Sequence, residues 1–419
     1  MSEEYILING GRRLQGSVTV HGAKNAVLPL LAAAILTDEE VVIEDCPYIR
    51  DVDAMIELLV DLGARATREG RRMRVSGGVA RTHASDSLCK TMRSSMFMIG
   101  ALLSNIGEVE MTLPGGCNIG SRPLDIHLDG LRQMGVRTEC IGDTVRCKAE
   151  KLRGADIVMR YPSVGATENL LMCASVAEGY TTLVNCAREP EIVALAKGLK
   201  LMGAKIRGEG TSVIRVEGVK KLSGATLRAG GDRIVAGTVI SAAALCGGDV
   251  TVYGVDANDM QAVLQMFRSE YCDISESELG IRVRADGRIR ARSVITAPYP
   301  LFPTDMQPQY FACQCFADGV SRICETVFDG RFAHAREFER MGAKISLHGN
   351  TAVIDGRECG LHAATLTASD LRGGAGLCVA AMKVEGESRV YNPHFIDRGY
   401  EDFEGAFSSL GANIVRIKK

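Results

Sequence analysis

A Gly-Ala step recurs along this chain at a nearly constant interval. Each time it follows an apolar helical run and precedes a strand-like run. Such self-similarity restricts the fold more than any other property of the sequence. It stands at Leu62-Gly63-Ala64, Met134-Gly135-Val136, Met202-Gly203-Ala204, Met341-Gly342-Ala343 and Leu410-Gly411-Ala412. The glycines lie 72, 68, 139 and 69 residues apart, and the long interval spans two units, with a degraded copy near Tyr271-Cys272. Six units of roughly 70 residues account for nearly the whole chain. In each, an amphipathic helix ends at a glycine that supplies a left-handed C-terminus. A strand follows, such as Lys205-Ile206-Arg207, and a turn leads to a second strand, such as Ser212 to Val216.

A second helix recurs once per unit, rich in Ala, Leu and Cys and apolar on nearly all sides, which predicts burial. Its copies run over 26–36, 94–103, 170–177, 236–246, 310–316 and 375–382. Polar residues stand before each: Lys24-Asn25, Arg93, Thr167-Glu168, Asp232-Arg233, Thr304-Asp305, and Asp370 with Arg372. Capping and dipole matching account for the Thr, Asn and Asp residues. They do not account for Lys24, Arg93, Arg233 and Arg372, whose charge has the wrong sign for a helix N-terminus. If the helices run parallel, their N-termini and these cations would converge on an anion-binding surface. Two lobes of three units, about 200 residues each, suit domain size better than one array. Two such surfaces facing each other would enclose a cleft for a multiply charged small ligand.

Composition narrows the classes. Lys and Arg number 49 against 51 Asp and Glu, a net charge of −2, which argues against a basic nucleic-acid-binding face. Met1-Ser2-Glu3-Glu4 carries acid where a signal peptide carries base, and no apolar run approaches a membrane span, so a cytoplasmic protein is expected. The 14 cysteines have no paired metal-site spacing, the seven histidines form no H-E-x-x-H motif, and neither a P-loop nor a Rossmann glycine fingerprint is present.

The segment Pro114-Gly115-Gly116-Cys117-Asn118-Ile119-Gly120-Ser121-Arg122-Pro123 is a glycine- and proline-rich loop carrying one thiol and one guanidinium. Cys117 is either a nucleophile or proton donor activated by the nearby Arg, or an incidental thiol. Three prolines between Ala297 and Thr304 lead to Asp305 at a helix start, which reads as an N-cap or as a general base on a rigid segment. Asp329-Gly330-Arg331-Phe332 and Ile396-Asp397-Arg398-Gly399-Tyr400 each offer an Arg that is a solvated charge or a fork for phosphate or carboxylate.

Several of these motifs, in this order, resemble those of the UDP-N-acetylglucosamine 1-carboxyvinyltransferases, the MurA-type enolpyruvyl transferases of bacterial cell-wall synthesis. The matching strings are Gly22-Ala23-Lys24-Asn25-Ala26, Lys90-Thr91-Met92-Arg93-Ser94, the Cys117 loop, Ser163-Val164-Gly165-Ala166-Thr167, Phe302-Pro303-Thr304-Asp305-Met306-Gln307 and His394-Phe395-Ile396-Asp397-Arg398-Gly399-Tyr400. The resemblance covers essentially all 419 residues. It implies an α/β, two-lobed, inside-out α/β barrel of six βαβαββ repeats. One lobe, residues 22–229, would carry the cysteine loop; the other would combine 1–21 with 230–419.

The implied reaction transfers the enolpyruvyl group of phosphoenolpyruvate to the 3-hydroxyl of UDP-N-acetylglucosamine and releases phosphate, the first committed step of peptidoglycan precursor synthesis. By the resemblance, Cys117 protonates the methylene carbon and forms a covalent adduct, and Asp305 takes the hydroxyl proton. Lys24, Arg122 and Arg398 surround phosphate and carboxylate, with Asn25 as the partner of Lys24. Arg93, Arg122, Pro123, Leu124, Asp125, Ile126, Ser163, Val164, Gly165 and Val327 fall at sugar-nucleotide positions. Asp370 and Arg372 lie on the phosphate side. No cofactor, metal, nucleic acid or membrane partner is implied. Tyr161, Arg50 and Ala194 depart from residues common in the family. The alternative is a non-catalytic paralogue that binds UDP-N-acetylglucosamine and regulates a partner.

Overall fold

In the computed structural model the described residues are 4–91, 93–112 and 124–418, with the side chains of Thr91 and Arg93 outside the description. They form two compact units, one of residues 21–112 and 124–230, the other of 4–20 and 231–418. Each has its own apolar core, built mainly from Ala, Val, Leu, Ile and Met.

The repeat is plain in residues 156–217. Strand Asp156–Val158 leads to helix Val164–Val176, strand Tyr180–Val184, helix Pro190–Leu201 and strands Lys205–Arg207 and Val213–Glu217. The first strand is parallel to Tyr180–Val184, with Thr182 opposite Asp156; the other pairings are antiparallel, with Thr182 opposite Arg215 and Lys205 opposite Glu217. Five sheets have four strands in this pattern. The sixth has three, and a single parallel bridge between His83 and Glu110 stands where the edge strand lies elsewhere.

The repeated glycine has the predicted backbone. Gly63, Gly135, Gly203, Gly342 and Gly411 all take φ between 89° and 109°, the left-handed turn that ends the helix and launches the strand. In the degraded copy, helix Gln261–Phe267 ends instead on Arg268 in an extended conformation, and a Ser269–Cys272 bridge makes the turn.

The six buried helices are Lys24–Ala33, Phe97–Ile106, Val164–Val176, Arg233–Cys246, Gln307–Gln314 and Leu371–Lys383. All but the second begin earlier than their apolar runs suggest: Lys24, Asn25, Thr167, Glu168, Arg233 and Arg372 lie inside their helices, Asp232 and Asp370 cap theirs, and Thr304 and Asp305 form a short turn before Gln307–Gln314. Phe97–Ile106 instead starts three residues later, after the short helix Arg93–Met96. Small residues let the helices touch. A Cβ on Gly100 would sit 2.6 Å from Asn169 Oδ1, and one on Gly376 would sit 2.7 Å from the Pro308 carbonyl oxygen.

Chain ends complete the sheets. Strand Glu4–Asn9 inserts between Glu387–Tyr391 and Asn413–Lys418, and Leu14–Thr19 runs parallel to Gly248–Tyr253. Thr226–Arg228 returns to pair with Val41–Glu44. Among the described residues, no helix is long and apolar enough to cross a membrane, and no cluster of His, Cys, Asp and Glu could hold a metal ion.

Candidate active site

In the unit of residues 231–418 three buried helices pack against one another, and their N-termini bring opposite charges together. Two are capped by aspartate: Asp232 Oδ1 accepts from the Ile234 and Val235 N–H groups at 2.9 and 3.0 Å, and Asp370 Oδ1 accepts from those of Arg372 and Gly373 at 3.1 and 3.0 Å. Asp305 does not cap. It lies in the short turn Thr304–Met306, whose capping position is Pro303. Its Oδ1 is 3.3 Å from Arg331 Nη2 and its Oδ2 3.6 Å from Arg372 Nη2. Both arginines are 3% exposed.

Burial opposes the Arg372 charge, but Tyr400, Asp305 and Asp232 outweigh it and hold its pKa above the ordinary arginine value. Arg331 Nε and Arg372 Nη1 are buried with no hydrogen-bond partner among the described residues. Buried donors in that state are costly unless an acceptor meets them. Arg331 also reaches Asp370, at 4.0 Å.

Behind this group, His334 is 1% exposed and sits edge-on to Phe311 and Phe338. Burial lowers its pKa, Asp370 opposing and Arg331 reinforcing the shift. Glu325 braces the neighbouring loop: it accepts from Thr304 Oγ1 at 2.9 Å and from the Val327 and Phe328 N–H groups at 2.8 and 3.1 Å. Val327 is thereby tied to the Asp305 turn. Arg398 is half-buried at the end of the turn Pro393–Arg398.

In the unit of residues 21–230, Lys24 begins its helix and its Nζ lies 2.5 Å from Asp51 Oδ2. Asp51, 3% exposed, comes from the first turn of helix Arg50–Asp61. A carboxylate from a neighbouring helix thus balances a cation that the helix dipole disfavours. Asn25 is the next residue, half-buried.

Ser163 caps helix Val164–Val176, accepting from the Ala166 N–H at 3.3 Å, so Val164 and Gly165 open that helix. Leu124 precedes helix Asp125–Gln133, whose His127 ring lies against Gly165, and Asp125 is ion-paired with Arg160. The Leu124–Ile126 and Ser163–Gly165 segments are therefore brought together. Deeper in, Asn169 Oδ1 accepts from Gly100 N–H at 2.6 Å, and its amide nitrogen is 2.9 Å from His127 Nδ1 and donates to the Met96 carbonyl at 3.1 Å.

Cys117, Arg122, Pro123 and the Arg93 side chain lie outside the described residues. Sequence reasoning left Arg331 open and missed Asp51, Glu325 and His334. Asp51 lies 27 residues from Lys24, and no local pattern joins them.

The family model for EPSP synthase (3-phosphoshikimate 1-carboxyvinyltransferase) matches residues 8–407. The UDP-N-acetylglucosamine 1-carboxyvinyltransferase 2 of Caldanaerobacter subterraneus subsp. tengcongensis is 43% identical over 412 residues, covering 98% of this chain and 99% of that protein. The UDP-N-acetylglucosamine 1-carboxyvinyltransferase of Magnetococcus marinus is 44% identical over 416 residues, covering 98% and 99%. Among solved structures, the enolpyruvyl transferase NikO from Streptomyces tendae matches with a TM-score of 0.89 at 25% identity over 100% of both chains. EPSP synthase from Acinetobacter baumannii matches with 0.73 at 17% identity over 99% and 100%, a likeness of fold alone.

Proposed function

The chain belongs to the enolpyruvyl transferase family of the UDP-N-acetylglucosamine 1-carboxyvinyltransferases, and on that premise we propose that it transfers the enolpyruvyl group of phosphoenolpyruvate to the 3-hydroxyl of UDP-N-acetylglucosamine. The reaction adds the sugar hydroxyl across the enol double bond. Oxygen bonds to C2 and a proton to C3, giving a tetrahedral ketal. Loss of phosphate from C2 and of a proton from C3 then restores the double bond as an enol ether. One phosphate leaves for each group transferred, and no redox partner is consumed.

The carrying observation is Asp305 between the Arg331 and Arg372 guanidinium groups. The two guanidinium groups fix its orientation, and nearby positive charge favours the carboxylate form that a base must have. Their remaining buried donors suit the anionic oxygens of phosphoenolpyruvate or of departing phosphate. In this reading Asp305 takes the hydroxyl proton, Cys117 supplies the proton at carbon, and Lys24, Arg122 and Arg398 neutralise the phosphate and carboxylate, with Asn25, Asp370 and Arg372 in support. Arg93, Pro123, Leu124, Asp125, Ile126, Ser163, Val164, Gly165 and Val327 hold the sugar nucleotide. The reading includes a cytoplasmic location, where both substrates occur.

Phosphate release with both substrates tests it. Turnover that requires phosphoenolpyruvate and UDP-N-acetylglucosamine together is expected. Faster turnover of shikimate 3-phosphate would reject the acceptor, and binding without release would favour a non-catalytic regulator.

A further inference from the structure

Arg398, at the end of its turn, is flanked in sequence by two groups that take no part in the reaction as proposed above. On one side is Tyr400, 4% exposed. Its hydroxyl lies 2.7 Å from Thr238 Oγ1 and accepts from Gln309 Nε2 at 3.3 Å, which joins it to two buried helices. On the other side is Asp397, both of whose oxygens meet one guanidinium: Arg416 Nη1 donates to Oδ2 at 2.9 Å and Nη2 to Oδ1 at 2.5 Å.

Arg416 comes from the edge strand Asn413–Lys418, near the end of the chain. Its Nε donates to Glu404 Oε1 at 2.7 Å, and Glu4 lies 3.6 Å from Nη1. Asp397, Glu404 and Glu4 are thus gathered around one half-buried cation. A bidentate arginine–carboxylate pair fixes direction as well as distance, which an ammonium group cannot do. Without Arg416, the Asp397 carboxylate would lose this two-pronged partner, and the Arg398 guanidinium, next in sequence, is a competing cation.

We propose that Arg416 is a positioning residue for anion binding: by holding Asp397 on the C-terminal strand, it presents Arg398 to the small anionic substrate. The proposal rests on the reading that Arg398 meets phosphoenolpyruvate. Its signature is selective. The Michaelis constant for phosphoenolpyruvate should move while that for the sugar nucleotide does not.

The test compares Arg416→Gln, Arg416→Lys, Asp397→Asn and Arg398→Gln in the full chain, with both Michaelis constants, kcat and Tm measured. Arg416→Gln should raise KM for phosphoenolpyruvate about tenfold, the scale of a misdirected binding group. KM for UDP-N-acetylglucosamine should stay within about twofold, with Arg416→Lys intermediate because it keeps the charge but loses the fork. Asp397→Asn breaks the same pair in a near-isosteric way and decides the matter if Arg416→Gln does not fold. An unchanged phosphoenolpyruvate KM in Arg398→Gln would overturn the reading beneath the proposal. A raised value in Arg398→Gln with unchanged values in Arg416→Gln and Asp397→Asn would overturn the proposal alone, as would a parallel rise in both Michaelis constants.

Discussion

Glu168 offers a prediction that depends chiefly on burial. It is 0% exposed in the first turns of helix Val164–Val176, and neither carboxyl oxygen has a hydrogen-bond partner among the described residues. Burial raises its pKa well above the ordinary 4.5, and the nearby Glu191 and Glu189 add to the shift. The native state therefore keeps a proton that the unfolded chain releases. The contribution of Glu168 to stability is fully present below pH 4.5 and is lost as the pH rises through its folded-state value.

Between those limits the loss is about 1.4 kcal/mol per pH unit. Glu168→Gln keeps the shape and removes the titration. The amide enters the same surroundings, in which neither carboxyl oxygen has a hydrogen-bond partner among the described residues, so the change of stability with pH is the readout and its absolute value is not. Guanidinium unfolding of both proteins at pH 5 and pH 6 should show the variant gaining on the parent as the pH rises, by on the order of 1 kcal/mol. A difference that does not change with pH would mean that Glu168 is ionised in the native protein, and the account of this core would fail.

His334 carries the opposite sign. Burial lowers its pKa from 6.5, so its contribution is present above that pH and is lost as the pH falls toward the folded-state value; His334→Phe should gain stability relative to the parent on acidification in the same unfolding experiment. Gly100→Ala should cost about 2 to 4 kcal/mol, since the new Cβ displaces Asn169 and the buried Gly100 N–H loses its acceptor; thermal unfolding reads this. A fosfomycin-type epoxide should alkylate Cys117 and no other cysteine on peptide mass mapping. Cys246 and Cys272 are pushed up to about 12 by burial, while Cys140, exposed, is the internal control, and an adduct there instead would contradict the role of Cys117.

The repeat was legible because its marks are local. A glycine that must take positive φ announces itself at Gly63, Gly135, Gly203, Gly342 and Gly411, and an Ala- and Leu-rich run announces a helix buried all round. Helix starts were harder to read, because Val164, Arg233, Gln307 and Leu371 lie within first turns that mix polar and apolar residues. Pairings across the chain left no local trace. Nothing in Glu4–Asn9 says that it will lie between Glu387–Tyr391 and Asn413–Lys418, and nothing near Lys24 points to Asp51. Asp305 illustrates the difference: its position at a helix start fitted a cap slightly better than a base, and its distances to Arg331 and Arg372, with Pro303 in the capping position, remove the cap.

The central claim is that Asp305, oriented by two buried arginines, serves as the base in enolpyruvyl transfer. Phosphorus NMR of the full reaction mixture, combined with mass analysis of the sugar nucleotide, tests it most directly. The parent protein should release one phosphate for each enolpyruvyl group gained by UDP-N-acetylglucosamine. Asp305→Asn should bind both substrates yet turn over about a hundredfold to ten-thousandfold more slowly. Undiminished turnover in Asp305→Asn, or phosphate release without a modified sugar nucleotide, would contradict the account.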